Sequence, residues 1–400
     1  MSRLNNISYY LFSLIPIFFV SGPFLIDLSF FLLTVIFLIN LKKEKNFNYL
    51  NNNYFWFMIV FFCYIIFNSL LNLDNIGKDN YYFYFRFILY AFTISYFLKD
   101  IKFIETFIFY SVVIIFLFTA DSFLAKFYGT GLFSISHFNK YRLSSFFYDE
   151  LIMGSFFLRL LIILNPLYLF LYKSKKSLIF LLFLNIVGMF LIILSGERAS
   201  LFLFLIYIFL NSLILNFNKK KKIAIFSILS SIVIIFLIFS PEIRERFIIQ
   251  TFLQEENFLG NHIDLFKVSL KMFETSPIFG NGYRSFQFLC YDEQFYINGK
   301  QFCSTHPHNI YLQLLAELGI IGFIFIMTIF LFFFYQFLRS LYYSFIKMQY
   351  IHSNSLNFCI TGIMINIFPL TTSGNFFHNW LNCLYFFPVG IYFYLKESNQ

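Results

Sequence analysis

Apolar runs of membrane-crossing length recur along this chain from residue 7 almost to Lys396. A bilayer core about 30 Å thick needs roughly 20 apolar residues per crossing helix. The recurrence therefore implies an all-α, polytopic integral membrane protein. Composition agrees, with 59% of the 400 residues hydrophobic, 24% aromatic and only 12% charged, which excludes a soluble domain. The expected spans are 8–21, 24–41, 54–72, 82–98, 103–120, 151–172, 177–195, 200–217, 223–240, 309–338, 356–372 and 376–395, about twelve in all. Ser21-Gly22-Pro23 reads either as a tight external turn or as a kink inside one long helix, since membrane helices tolerate both residue types. No small-residue cleavage site follows the first run, so a cleaved signal peptide is not expected.

Breaks between the runs differ in charge, and cytoplasmic loops collect Lys and Arg. Basic clusters at Lys42 to Lys45, Lys99 to Lys102, Lys173 to Lys176, Lys219 to Lys222 and Arg339 to Lys347 each follow an even number of runs if the N-terminus is inside. Both termini are then cytoplasmic, and 121–150 and 241–308 face outside. The formal net charge of +9 reflects orientation and lipid contact rather than nucleic-acid binding. Cys63, Cys359 and Cys383 fall in apolar runs, where a thiol acts as a small hydrophobe. Cys290 and Cys303 lie in the external 241–308 segment, where they are either bridged or free. No metal-ligand spacing occurs.

Four polar islands interrupt the pattern. In "THPHNIYLQLLAELGIIG" (305–322), Thr305 or His306 is expected to cap a helix with Pro307 in its first position and His308 in its first turn. The partial positive charge of a helix N-terminus disfavours imidazolium, leaving His308 neutral, as a general base must be. Free N–H groups there can also hold phosphate oxygens. Gln313 and Glu317 share a helix face, with Glu317 below the surface as either a functional group or a structural one bonded across helices. Gly319 and Gly322 are expected to let another helix approach closely.

"LSGERASL" (194–201) places Arg198 at an outer helix junction, either functional or merely interfacial. In "YRLSSFFYDELIMGSFF" (141–157), Arg142 precedes Asp149 and Glu150, which stand at the mouth of a helix. The two acids either complement its dipole or serve a substrate. In "NHIDLFKVSLKMFETSPIFGNGYRSF" (261–286), a capping-box-like start at Asn261 and Asp264 opens an external amphipathic helix ending at Pro277. A Gly280/Gly282 turn then presents Arg284.

These islands together resemble the O-antigen ligase and O-antigen polymerase superfamily. "HNIYLQLLAELGIIG" matches the family's most characteristic stretch, "SPIFGNGYRSFQ" is similar to the Gly-rich segment before it, and "LSGERASL" is similar to an earlier small-residue-then-Arg motif. The resemblance implies a GT-C-like membrane fold with N-terminal helices and first external loop over 1–140, the family core over 141–338 and C-terminal helices over 339–400. It also implies glycosyl transfer at the periplasmic face of a bacterial inner membrane, from a polyprenyl-diphosphate-linked glycan to a lipid-anchored or carrier-linked sugar acceptor. Membrane lipids are the other partners; no nucleic acid, metal, cofactor or nucleotide sugar is implied.

Carried over by motif, His308 would be the base or the residue that orients the acceptor, Arg198 the diphosphate contact, and Arg142 and Arg284 further phosphate or glycan contacts. Asn309, Glu317, Gln313, His306, Asp149 and Glu150 would support them. Glu197 stands directly before Arg198, where the family often has a small residue, and pairing between them would weaken the phosphate role. A ligase is favoured slightly over a polymerase because 241–308 is large enough to shape an acceptor cleft. A transporter or flippase would be expected to gather polar groups near the midplane, often in repeated halves, whereas these cluster at one end.

Overall fold

The computed structural model describes residues 3–74, 81–132, 138–139, 142–215, 219–253, 262–347 and 349–398. Its helices are, in order, α1 (Arg3–Ser13), α2 (Ile15–Val20), α3 (Pro23–Glu44), α4 (Asn53–Leu71), α5 (Phe85–Phe97) and α6 (Ile101–Tyr128). A two-stranded hairpin of β1 (Phe138–Asn139) and β2 (Arg142–Leu143) leads to α7 (Met153–Leu171), α8 (Lys175–Leu194), α9 (Arg198–Ile214) and α10 (Lys219–Phe239). The short α11 (Pro241–Arg244) runs into a π-helical segment, Glu245–Leu253. There follow α12 (His262–Thr275), α13 (Phe286–Leu289), α14 (Ile310–Phe345), α15 (Asn354–Asn366) and α16 (Asn379–Ser398).

Among the described residues, seven helices are long and apolar enough to cross a membrane, namely α3, α4, α6, α7, α8, α14 and Lys222–Phe239 of α10. The other expected spans form shorter or less apolar helices. The span expected at 356–372 is cut to Asn354–Asn366, because Pro369 is close behind and a residue before proline leaves helical geometry. The first expected span divides into α1 and α2, with Pro16 at the start of α2. Ser21-Gly22-Pro23 is a turn, with Gly22 at φ +103° and Pro23 opening α3.

Helices α7, α15 and α16 are buried almost all around and form the middle of the bundle, with α5, α8 and α9 packed on them. A helix apolar on every side belongs in such a core. The outer helices carry exposed aromatics such as Phe24, Phe31 and Phe109. Buried polar side chains pair off between helices: Asn165 and Asn185 exchange two amide bonds of 3.0 and 2.9 Å between α7 and α8, as small polar residues do in apolar surroundings.

The segment after α12 docks onto α14. Gly319 sits inside α14 with non-helical φ 63° and ψ −165°, so the carbonyls before it lose their helical partners. Backbone N–H groups of Asn281 and Gly282 bond the Ala316 and Glu317 carbonyls at 3.1 and 2.9 Å, and Ile320 N–H reaches the Pro277 carbonyl at 2.9 Å. Tyr64 and Asn68 of α4 donate to the Leu318 and Glu317 carbonyls. A Cβ on Gly280 would collide with the Gly319 nitrogen and the Glu317 carbonyl, and one on Gly319 with the Ile278 carbonyl. Gly319 thus admits a loop rather than the neighbouring helix expected from sequence. Gly322 meets the side chain of Leu318 in its own helix.

The amphipathic α12 lies over this junction, with Leu265, Val268 and Met272 packed against Phe286, Cys290, Phe295 and Ala316. Cys290 and Cys303 are joined by a disulfide, their Cα atoms 5.3 Å apart. Asn261, expected to start the capping box, lies outside the described residues.

Both Gly280→Ala and Gly319→Ala should therefore destabilise the folded protein by at least about 2 kcal/mol, since each combines positive φ with a backbone collision. Thermal unfolding in detergent checks this, and an unchanged midpoint for either variant would refute the close approach.

Candidate functional site

One end of the bundle gathers the polar islands. The turn between α8 and α9 is made by Gly196 at φ +65°, a conformation that glycine adopts without a steric penalty. Glu197 does not pair with Arg198. Its carboxylate accepts from Gly154 N–H at 2.7 Å and Ser155 N–H at 3.1 Å, capping the start of α7, and from Ser200 Oγ at 3.1 Å. Gly154 permits the approach, because a Cβ there would strike Ser195 Oγ. Burial pushes the Glu197 carboxyl up, opposed by the Ser155 N–H bond and by Arg142.

Three guanidiniums surround that turn. Arg142, on β2, donates to the Ser195 carbonyl at 3.4 Å and the Leu151 carbonyl at 3.0 Å. Arg198 donates to Thr251 Oγ1 at 3.0 Å and the Gln250 carbonyl at 3.4 Å. Arg246 reaches the Gly196 carbonyl at 3.0 Å and Gln250 Oε1 at 3.0 Å. Burial, then the charges of Arg198 and Arg142, hold Arg246 down to about 10. Arg142 is likewise lowered by burial and by Arg198, with Glu197 opposing. Since Glu197 is engaged by N–H groups of α7, the cluster has a surplus of fixed positive charge. Such a site favours an anion with several oxygens, which the planar guanidinium fork grips bidentately.

His308 stands beside this cluster. The capping residue of α14 is Asn309, whose side chain accepts from Tyr311 and Leu312 N–H at 3.0 and 3.1 Å. The helix therefore begins later than Thr305 or His306 would have started it. Pro307 and His308 precede it, and His308 has φ +58°, a costly conformation for a residue with a Cβ. The loop between α15 and α16 holds it there. Ser373 N–H donates to the His308 carbonyl at 2.8 Å, and Ser373 Oγ accepts from Ile310 N–H at 2.9 Å. Asn309 Nδ2 donates to the Pro369 and Thr371 carbonyls at 3.0 and 3.3 Å.

The His308 ring lies 4.2 Å from that of His306 and 4.7 Å from that of His262, centre to centre. Both nitrogens of His306 are engaged, with Thr305 Oγ1 at 3.0 Å and the Ser373 carbonyl at 3.2 Å. Burial holds His308 down to about 4, with His262 adding to it, and holds His306 down to about 3. His308 is neutral at pH 7 as expected, but through desolvation and a neighbouring imidazole rather than through a helix N-terminus. His262 is itself lowered by burial and by Arg198. It therefore connects the histidines to the arginines.

Gln313 and Glu317 are fully buried beneath. Gln313 Nε2 donates to Glu317 Oε2 at 3.0 Å and Asn375 Oδ1 at 2.8 Å, and Gln313 Oε1 accepts from Phe376 N–H at 2.9 Å. Glu317 Oε1 accepts from Phe286 N–H at 3.3 Å. The pair ties α14 to the chain on either side of it, the structural alternative of the two left open by sequence. Arg284, at φ +55°, lies within the electrostatic reach of Glu317 and His378. Asp149 and Glu150 occupy an exposed turn ahead of α7, and the helix start they were expected to complement is taken by Glu197. Among the described residues, no group of three or more His, Cys, Asp or Glu stands in metal-binding geometry.

Arg246, His262 and His378 join the site unanticipated. The sequence signal for the first was the charged run "EIRER" (242–246) in the external segment. His262 was hidden inside an amphipathic pattern, and His378 in the turn before α16.

Residues 178–327 match the family model described as O-antigen ligase. The match includes Arg198, Arg246, His262, Arg284 and His308. Among curated proteins, none matches the chain closely enough to carry an inference.

His306 and His308 should remain neutral as pH falls through 6.5, taking up protons only towards about 3 and about 4. Imidazole nitrogen shifts in labelled protein measure this, and a His308 midpoint near 6.5 would contradict the desolvated site.

Proposed function

We propose, from the match of residues 178–327 to the family model described as O-antigen ligase, that this protein moves a glycan from a polyprenyl-diphosphate carrier to an acceptor sugar. The observation that carries the reading is the convergence of Arg142, Arg198 and Arg246 on one turn, with a neutral histidine, His308, linked to them through His262. The diphosphate of the donor occupies the guanidinium cluster. An acceptor hydroxyl attacks the anomeric carbon, the bond from that carbon to the diphosphate oxygen breaks, and its electron pair stays on the diphosphate. His308 takes the hydroxyl proton.

Three partly buried guanidiniums, held by carbonyls, a hydroxyl and an amide oxygen, supply the charge stabilisation at the departing diphosphate, which is effective because they need not reorganise as the charge develops. This leaves no step that requires a metal. Arg284 contacts the glycan or its phosphate, while Asn309, Gln313 and Glu317 hold His308 and Arg284 in place. All twelve apolar segments cross the inner membrane in this reading, with both termini cytoplasmic and the site facing outward, in keeping with the basic clusters.

A ligase acting on a lipid-anchored core is favoured over a polymerase, because the 241–308 segment, pinned by its disulfide and by α14, is large enough to shape an acceptor cleft. Transport is disfavoured by the gathering of these polar groups at one end of the bundle rather than near its middle.

Purified protein in detergent, supplied with a polyprenyl-diphosphate glycan and either lipid-anchored core or more donor, should form product on the core. Product that stays on the carrier would make it a polymerase. His308→Ala should abolish transfer with insertion intact. Arg198→Ala and Arg246→Ala should each cost roughly 10²-fold, the scale of losing one preorganised charge-stabilising contact. Normal transfer by His308→Ala and Arg198→Ala would sink the enzymatic reading.

A further inference from the structure

We infer that His262 is the proton exit of the site, a positioning residue that receives the acceptor's proton from His308 and releases it to solvent. The inference rests on the transfer reading above and adds a role for a residue that reading does not use.

A base that accepts a proton must be emptied before the next turnover, and His308, itself only partly exposed, has two imidazole neighbours through which this can happen. Its own Nε2 faces Ser304 Oγ at 3.4 Å. Of its two imidazole neighbours, His306 is buried and has both ring nitrogens committed, one to a hydroxyl and one to a carbonyl. Its Nε2 donates to the Ser373 carbonyl, and its burial leaves a proton taken up there without release to water. His262 differs. Its Nδ1 is buried without a hydrogen-bond partner, although the ring as a whole is only half-buried.

With no partner of its own, Nδ1 is the nitrogen of His262 left uncommitted to receive a proton. His262 is also the first residue of α12, at the edge of the external segment, where Leu265, Val268 and Met272 anchor the helix and leave its start towards the site.

Charge decides the direction of transfer. A proton on His308 is disfavoured by burial and by His262. On His262 it is disfavoured by burial and by Arg198. The groups acting on the pair are His306 from the segment before α14 and Arg198 from α9; Arg142 and Arg246 interact with Arg198, and His378 with His306. When a diphosphate occupies the arginines, the field of Arg198 on His262 is neutralised, so the exit opens only with donor in place.

The balance is simple. The acceptor O–H proton passes to His308, from there to His262, and then to water, while the electron pair of the broken bond remains on the diphosphate.

The test compares His262→Ala, His262→Gln and the unaltered protein in the detergent transfer reaction, with and without added imidazole. Removal of the exit should lower turnover at least about tenfold, the low side of what positioned proton transfer contributes, with the acceptor KM unchanged. Imidazole should restore turnover in His262→Ala. Full turnover in His262→Gln, or a loss that imidazole does not restore in folded His262→Ala, would overturn the relay. If the unaltered protein transfers nothing, it is the transfer reading that fails. The pairing itself is then read from imidazole nitrogen titration. Removing His262 should shift the His308 titration, and an unshifted curve would overturn the pairing.

Discussion

The break in α14 at Gly319 is the constraint on which the rest depends. A helix that loses its hydrogen bonds inside an apolar bundle must find other donors for its carbonyls, and here the 277–282 segment and two side chains of α4 supply them. That requirement fastens the external chain to the membrane helices at a single register. With the segment fixed, α12 and the disulfide-closed loop after it can pack on Ala316, and Arg284 is delivered next to Glu317. His308 is held from the other side by Ser373. Neither loop is rigid through its own regular structure. Each is rigid because the other elements complete its hydrogen bonds.

Charge follows a similar division of labour. Glu197 is a carboxylate at the arginine turn, and it is committed to the N-terminus of α7. A helix start favours a negative group through its free N–H donors and dipole. The consequence is that Arg142, Arg198 and Arg246 are held by carbonyls, a hydroxyl and an amide, none of which cancels their charge. Three cations in a partly buried turn repel one another, as the lowered Arg246 records. A multivalent anion relieves that repulsion, whereas a sugar alone would not.

Much of this was readable before the fold was known. His308 and Arg198 stood out because each sits in a polar island at the edge of an apolar run, where an ionisable group needs a reason, and their roles came from the family resemblance. Arg142 and Arg284 were found through their motifs. Arg246 was overlooked because it lies in a stretch rich in both charges, where no single arginine is conspicuous. His262 was absorbed into the periodicity of α12, which correctly predicted an amphipathic helix and said nothing about what its first residue touches. The start of α14 was placed too early, since Pro307 suits a first helical position by local chemistry, while the Asn309 side chain and the loop from α15 decided otherwise.

What the sequence determined by itself is the solvent and the secondary structure. Long apolar runs, lysine clusters and glycine or proline punctuation suffice to specify a helical membrane bundle and the end at which its polar residues gather, because hydrophobicity and backbone sterics act locally along the chain. What only the tertiary structure decided is which of those polar residues meet. Glu197 capping α7 rather than pairing with its neighbour Arg198, a loop rather than a helix against Gly319, and His262 standing between His308 and the arginines all depend on contacts between segments distant in sequence. Such contacts are settled by whichever arrangement leaves the fewest buried donors and acceptors unpaired, and that sum runs over the whole bundle.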